Sequence, residues 1–236
     1  MQTIDGNRRG DSAVDAGYWI TISDLMAGLL AIFILALVYF MTVFKDKEEA
    51  LTDNNRVRTE ILKTIEIKLK NKHPNMTIQI DTTHGVLRLP NDVLFEQGED
   101  ILGFDGRETV SDLAEIIFEV LTFEYKDALR YKDRVETIFV EGHTDTVRMA
   151  PGSKHASNWE LSSQRAINTW LQMKASEEQL DDLKNNLGQK IFSCSGYAAT
   201  RPVDEDSLVL NRRIDLRFAM SPPPLVGLIE ERLQTR

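Results

Sequence analysis

The stretch Val135-Glu-Thr-Ile-Phe-Val-Glu-Gly-His-Thr-Asp145, followed after a loop by Asn158-Trp-Glu-Leu-Ser-Ser-Gln-Arg-Ala166, decides the fold. Val135 to Glu141 predicts a strand, and Gly142 to Ser157, with Pro151 and Gly152, predicts a loop. Asn158 is of the type that caps a helix start. Leu161, Ala166, Ile167, Trp170 and Leu171 then recur as the buried face of a helix.

Working outward, the same periodicities fill the domain. Met76 to Asp81 and Val86 to Leu89 predict two strands about a turn at Gly85. Val110, Leu113, Ile116, Ile117, Val120 and Leu121 describe an amphipathic helix. Tyr125 to Arg134 is polar and predicts a helix end or a loop. Leu180 to Leu187 suits a short helix, Lys190 to Ser195 a strand, 196–211 a loop, and Arg213 to Ala219 a last strand. The expected class is α+β, with helices packed on a mixed β-sheet, over residues 76–221. Pro222-Pro-Pro224 then breaks the chain. Residues 222–236 carry a short apolar stripe, Leu225, Leu228, Ile229 and Leu233, that would suit a final helix.

Upstream lies a different kind of sequence. Residues 19–44, from Trp19 to Phe44, are long and apolar enough as a helix to cross a hydrocarbon core of about 30 Å. They hold one ionisable residue, Asp24. A carboxylate in lipid costs at least ~2.5–3.5 kcal/mol, so Asp24 is expected to face protein or water. Ser23, Ala27, Gly28 and Ala31 surround it as a narrow stripe of small residues, which lets transmembrane helices approach closely. The residue-level alternatives are an acid that gains and loses a proton, and a polar anchor between two helices. Residues 1–18 read as a short cytoplasmic leader, polar and flexible. Residues 45–75 predict a helical linker whose stripe Ile61, Ile65, Leu69 needs a partner: a second copy or the following domain.

The chain has 236 residues and a formal net charge of −9, which disfavours a nucleic-acid partner. Cys194 is the single cysteine, so no intramolecular disulfide forms. His73, His84, His143 and His155 show no metal spacing, and no cofactor or metal is expected. His143 and Asp145 suggest acid–base work, but Ser162, Ser163 and Cys194 lack a nucleophile-elbow context, so no enzyme site is expected. Lysines and arginines after the span outnumber Arg8 and Arg9 before it. That count alone places the N-terminus outside.

Two resemblances are carried by motifs. Ser23-Asp-Leu-Met-Ala-Gly28, opening an apolar helix, resembles the MotB-like subunits of ion-driven membrane motors, most closely those of Zorya anti-phage systems. Phe95 with Gly98, Glu141-Gly-His-Thr-Asp145, Asn158 to Ala166, Gly196-Tyr-Ala-Ala-Thr-Arg-Pro202 and Asn211-Arg-Arg-Ile-Asp215 resemble, in order, the OmpA-like peptidoglycan-binding domain. The resemblance implies that Asp24 carries the ion, H⁺ or Na⁺, with Thr21 and Ser23 as neighbours on its path. It implies that Asp145 and Arg165 hold the diaminopimelate of a stem peptide, with Asn158 and Leu161 lining the groove. A carboxylate pairs the ligand's ammonium and a guanidinium forks onto its carboxylate. The Asp145–Arg165 connection is longer than usual, with Val147 to Lys154 inserted. Arg212 and Arg213 are expected to close the fold first and contact ligand second.

The implied protein is a homodimer within a ring of a multi-span MotA-like subunit. It would be single-pass in a bacterial inner membrane, with the N-terminus cytoplasmic and the domain periplasmic, against the charge count. The rivals are a flagellar stator and a passive envelope tether.

Overall fold

The computed structural model describes residues 8–96, 98–126 and 129–221. The tail helix suggested over 222–236 lies outside them. Contacts divide the chain into Met1–Ala50 and Leu51–Arg236.

Helix α1 runs Arg8–Lys72, so it starts within the stretch read as a flexible leader. In the first unit, Tyr18–Lys45 is long and apolar enough to cross a membrane. Its large side chains, among them Leu25, Leu29 and Phe33, are exposed in the isolated chain. A Cβ added at Gly28 would meet nothing within 4 Å, so nothing in this chain requires a glycine there.

In the second unit the order is β1 (Gln79–Asp81), β2 (Val86–Pro90), α2 (Asn91–Leu94), α3 (Phe104–Thr122), β3 (Glu124–Lys126), β4 (Leu129–Arg130) and β5 (Val135–His143). Helix α4 (Asn158–Ser176), β6 (Phe192–Gly196), α5 (Leu208–Asn211) and β7 (Arg213–Met220) follow. The main sheet has the order β1-β2-β7-β5-β6. Only β5 and β6 pair in parallel; the other pairs are antiparallel. The expected mixed sheet with helices is therefore present. The polar segment from Tyr125 is instead a small β3–β4 hairpin and a 3-10 turn, Tyr131–Arg134.

Period-two alternation sorts the sheet into two faces. Leu87, Leu89, Ile138, Val140, Ile214, Leu216 and Phe218 join the core with α3. The linker stripe finds its partner here: Val57, Ile61, Leu62, Ile65 and Leu69 are fully buried in the same core. Lys68 reaches Glu119, and Lys72 and His73 reach Asp112 on α3. Arg134 binds Asp53 at 2.8 Å, and Asn54 donates to Ser221 O. The stripe packs on its own domain, not on a second copy.

On the opposite face Glu141, His143, Arg213 and Asp215 are buried although polar. Arg217 grips Glu141 through two 2.9 Å bonds, and Arg213 Nε donates to both oxygens of Asp215. Tyr197 stacks on His143 at 5.4 Å and carries Arg201 on its ring at 3.8 Å. Burial pushes Glu141 up, but His143 and Arg217 outweigh it and hold the carboxyl at about 2. Around Asp215 and Arg213 burial wins, raising the acid and lowering the base.

Candidate functional site

The site forms where β5 hands over to α4. Gly142 and Gly196 lie side by side in the β5–β6 register. A Cβ on Gly142 would stand 2.0 Å from Ser162 O, and one on Gly196 2.5 Å from Ser163 N. These glycines let the first turns of α4 press onto the C-terminal ends of β5 and β6. Ser162 Oγ then accepts from Ala198 N at 3.0 Å, tying the β6–α5 loop to the same helix.

Ser157, not Asn158, caps α4, accepting from Glu160 N at 3.3 Å. Asn158 is thereby free to turn outward. Its Nδ2 donates to Asp145 O at 3.2 Å and Val147 O at 2.8 Å, folding the loop between β5 and α4 back over the helix start. The loop is pinned again at buried Asp100, which bonds Lys154 and lies 3.5 Å from His155. Burial raises the Asp100 carboxyl, yet Lys154 and its other partners leave it below the usual range.

Asp145 is buried, accepting from Val147 N and from Arg212 Nη1, both at 2.9 Å. Arg212 is half-exposed and stands 3.8 Å from Asp92 on its other side. Arg165, which the resemblance makes a ligand-holding residue, is 2 % exposed. Its Nε donates to Glu99 O at 2.8 Å and its guanidinium lies 5.1 Å from the Phe95 ring centre. Burial and then the neighbouring Arg212 charge lower Arg165 to about 10, against the pull of Asp100, Asp145 and Asp92. It stays cationic at neutral pH, a buried charge held by Glu99 O and the Phe95 ring.

Thus the structure brings together Asp145, Asn158 and Arg165, and adds Arg212, Asp92 and Asp100. Leu161 is buried, as Arg165 and Asp145 are. Arg213 closes the fold, and Arg212 sits at the site. Asp92 and Asp100 gave no signal in the sequence, because neither stands in a motif. On the span, Thr21 Oγ1 donates back to Tyr18 O at 3.1 Å, and Ser23 and Asp24 are exposed in the single chain. Cys194 bonds weakly to Ala166 O, and burial raises its thiol to about 11, that of an inert group.

Glu141, His143 and Asp215 place possible ligand atoms within 4.8 Å of one another. Both carboxylates already serve arginines, so a divalent ion would have to displace Arg217 or Arg213. The cluster is a charge network holding β5 to β7.

A polar cluster at the C-terminal end of β5, in a chain that also carries a long apolar helix, points to the class. Residues 94–213 match the OmpA family, and the chain belongs to it. It is 23% identical over 216 residues to the Zorya protein ZorB of Escherichia coli, covering 86% of each. Among solved structures it is similar to a MotB-like protein of Desulfovibrio vulgaris, with 17% identity and a TM-score of 0.53. That match covers 74% of this chain and 99% of that one, and it shows a shared fold. A periplasmic domain of Helicobacter pylori MotB is 23% identical, with a TM-score of 0.48, over 71% of this chain and 93% of its own. The chain is thus similar to MotB-like OmpA-domain proteins and to ZorB.

Proposed function

We propose that the chain is a stator-type subunit of an ion-driven inner-membrane motor. It anchors to peptidoglycan and acts in anti-phage defence signalling. One combination carries this reading: a lone acid, Asp24, in an apolar helix, borne by a chain whose folded domain belongs to the OmpA family. Similarity to ZorB along most of the chain supports the defence role. Two copies pair through their spans inside a ring of a multi-span, MotA-like partner. The small residues Ser23, Ala27, Gly28 and Ala31 beside Asp24 support such a close seam. Asp24 takes a proton from the outer side and releases it to the cytoplasm. Each charge moved through 100 mV supplies about 2.3 kcal/mol.

The domain stands in the periplasm, with the N-terminus cytoplasmic. There Asp145 pairs the ammonium of diaminopimelate, and Arg165 takes its carboxylate while Asn158 holds the groove wall. The deciding experiment replaces Asp24 with Asn in the intact system. Loss of phage protection, with membrane level and partner binding unchanged, is expected. Full protection by that variant would overturn the motor and leave a passive tether.

A further inference from the structure

Helix α4 leaves two large apolar residues outside the core. Ile167 is 39 % and Leu171 is 54 % exposed, where periodicity had both buried. Leu171 lines a pocket of about 290 Å³ with Ile101, Leu102, Arg107, Asn168 and Gln172. The floor is apolar, and Ile101 is itself 58 % exposed. The walls are polar and held in place. Asn168 donates to Asp100 O at 2.7 Å and accepts from Gln164. Gln172 Nε2 donates to Ser111 and Ser176, while its Oε1 takes no donor among the described residues. Arg107 is exposed, and among the described residues its guanidinium has no ion-pair partner.

This pocket continues the site already described. Arg165, Asn168 and Gln172 follow one another at i, i+3 and i+7, one face of α4. Seven residues of helix span about 10 Å. Asp100, beside Arg165, is the chain neighbour of Ile101 on the pocket floor. A stem peptide gripped by its diaminopimelate has two residues, γ-linked D-glutamate and L-alanine, between that grip and the sugar. Extended, they reach about 7 Å or slightly more. The D-glutamate carries a free α-carboxylate, and the sugar carries an acetamido group and an apolar ring face.

We propose that this α3–α4 pocket receives the N-acetylmuramyl end of the stem peptide held at Asp145 and Arg165. Arg107 takes the D-glutamate carboxylate, Gln172 Oε1 accepts from the sugar, and Ile101 and Leu171 lie under its acetamido methyl and ring face. The inference rests on the wall-binding reading above.

The test titrates the full chain in detergent with N-acetylmuramyl-L-Ala-γ-D-Glu-diaminopimelate and with the same tripeptide lacking the sugar. The wild type is expected to bind the muramyl form about tenfold more tightly. Leu171→Asp and, independently, Ile101→Asp are expected to bind both forms equally, with unchanged melting because both positions are exposed. Arg107→Ala is expected to weaken both ligands alike. Equal affinity of the wild type for the two forms, or a full sugar preference in both aspartate variants, overturns the pocket assignment alone. Wild-type binding unchanged in Asp145→Asn, or no binding of either ligand, overturns the wall-binding reading and this inference with it.

Discussion

Replacing Gly142 with Ala tests how the site is positioned. The new methyl would lie 2.0 Å from Ser162 O and 2.8 Å from its carbonyl carbon. Both are backbone atoms of α4, so no side chain can rotate aside. The strand or the helix must move, and overpacking of this kind costs about 1–3 kcal/mol. The upper end, about 2–3 kcal/mol, is expected against backbone. In a domain of this size that lowers the melting temperature by about 4–12 °C. The displacement also loosens the 3.2 Å bond from Asn158 to Asp145 O, so muropeptide affinity falls as well. Scanning fluorimetry of the full chain in detergent reads the first effect, and ligand titration the second. Gly28→Ala is the control, since its methyl meets nothing within 4 Å. Melting of Gly142→Ala within about 1 °C of wild type would refute the close-approach argument.

Three further outcomes follow from the packing and charges. Ile65→Ala should destabilise the domain by about 2–5 kcal/mol in denaturant titration, independently of protein concentration; a concentration-dependent loss would instead favour a coiled coil. Glu141 is held at about 2, below its ordinary 4.5, so its stabilisation is complete above 4.5 and lost as pH falls toward 2. Asp215, raised by burial, works in the opposite sense. Denaturation from about pH 5 to about pH 3 should therefore show falling stability that Glu141→Gln flattens. Gly28→Leu should leave the domain's melting unchanged while abolishing co-purification with a multi-span partner, read by pull-down from membranes.

Much of the framework was legible. The alternations at Ile138/Val140 and Ile214/Leu216, and the run from Val110 to Leu121, each specified an element and its inward face. Periodicity names a face, however, and not what covers it. Ile61, Ile65 and Leu69 could not tell a second copy from their own domain. The burial of Arg165 was not legible, because it depends on Glu99 and Phe95, far away in sequence. Ile167 and Leu171 read as core because periodicity does not show how wide a face of α4 the domain covers. The helix start was displaced by one residue: Ser157 and Asn158 are both capping types, and the long-range bonds of Asn158 decided between them. The pairing of Glu141 and Asp215 depends on the β5–β7 register, which neither strand encodes alone.

The burial of Val57 to Leu69 has a mechanical consequence. A helix whose sticky side is already covered at home cannot zip two chains together at that level. In a paired assembly the two outer globules would then grip separate stem peptides. Each hold would raise the local concentration for the other, so weak single grips could sum to a durable bivalent attachment.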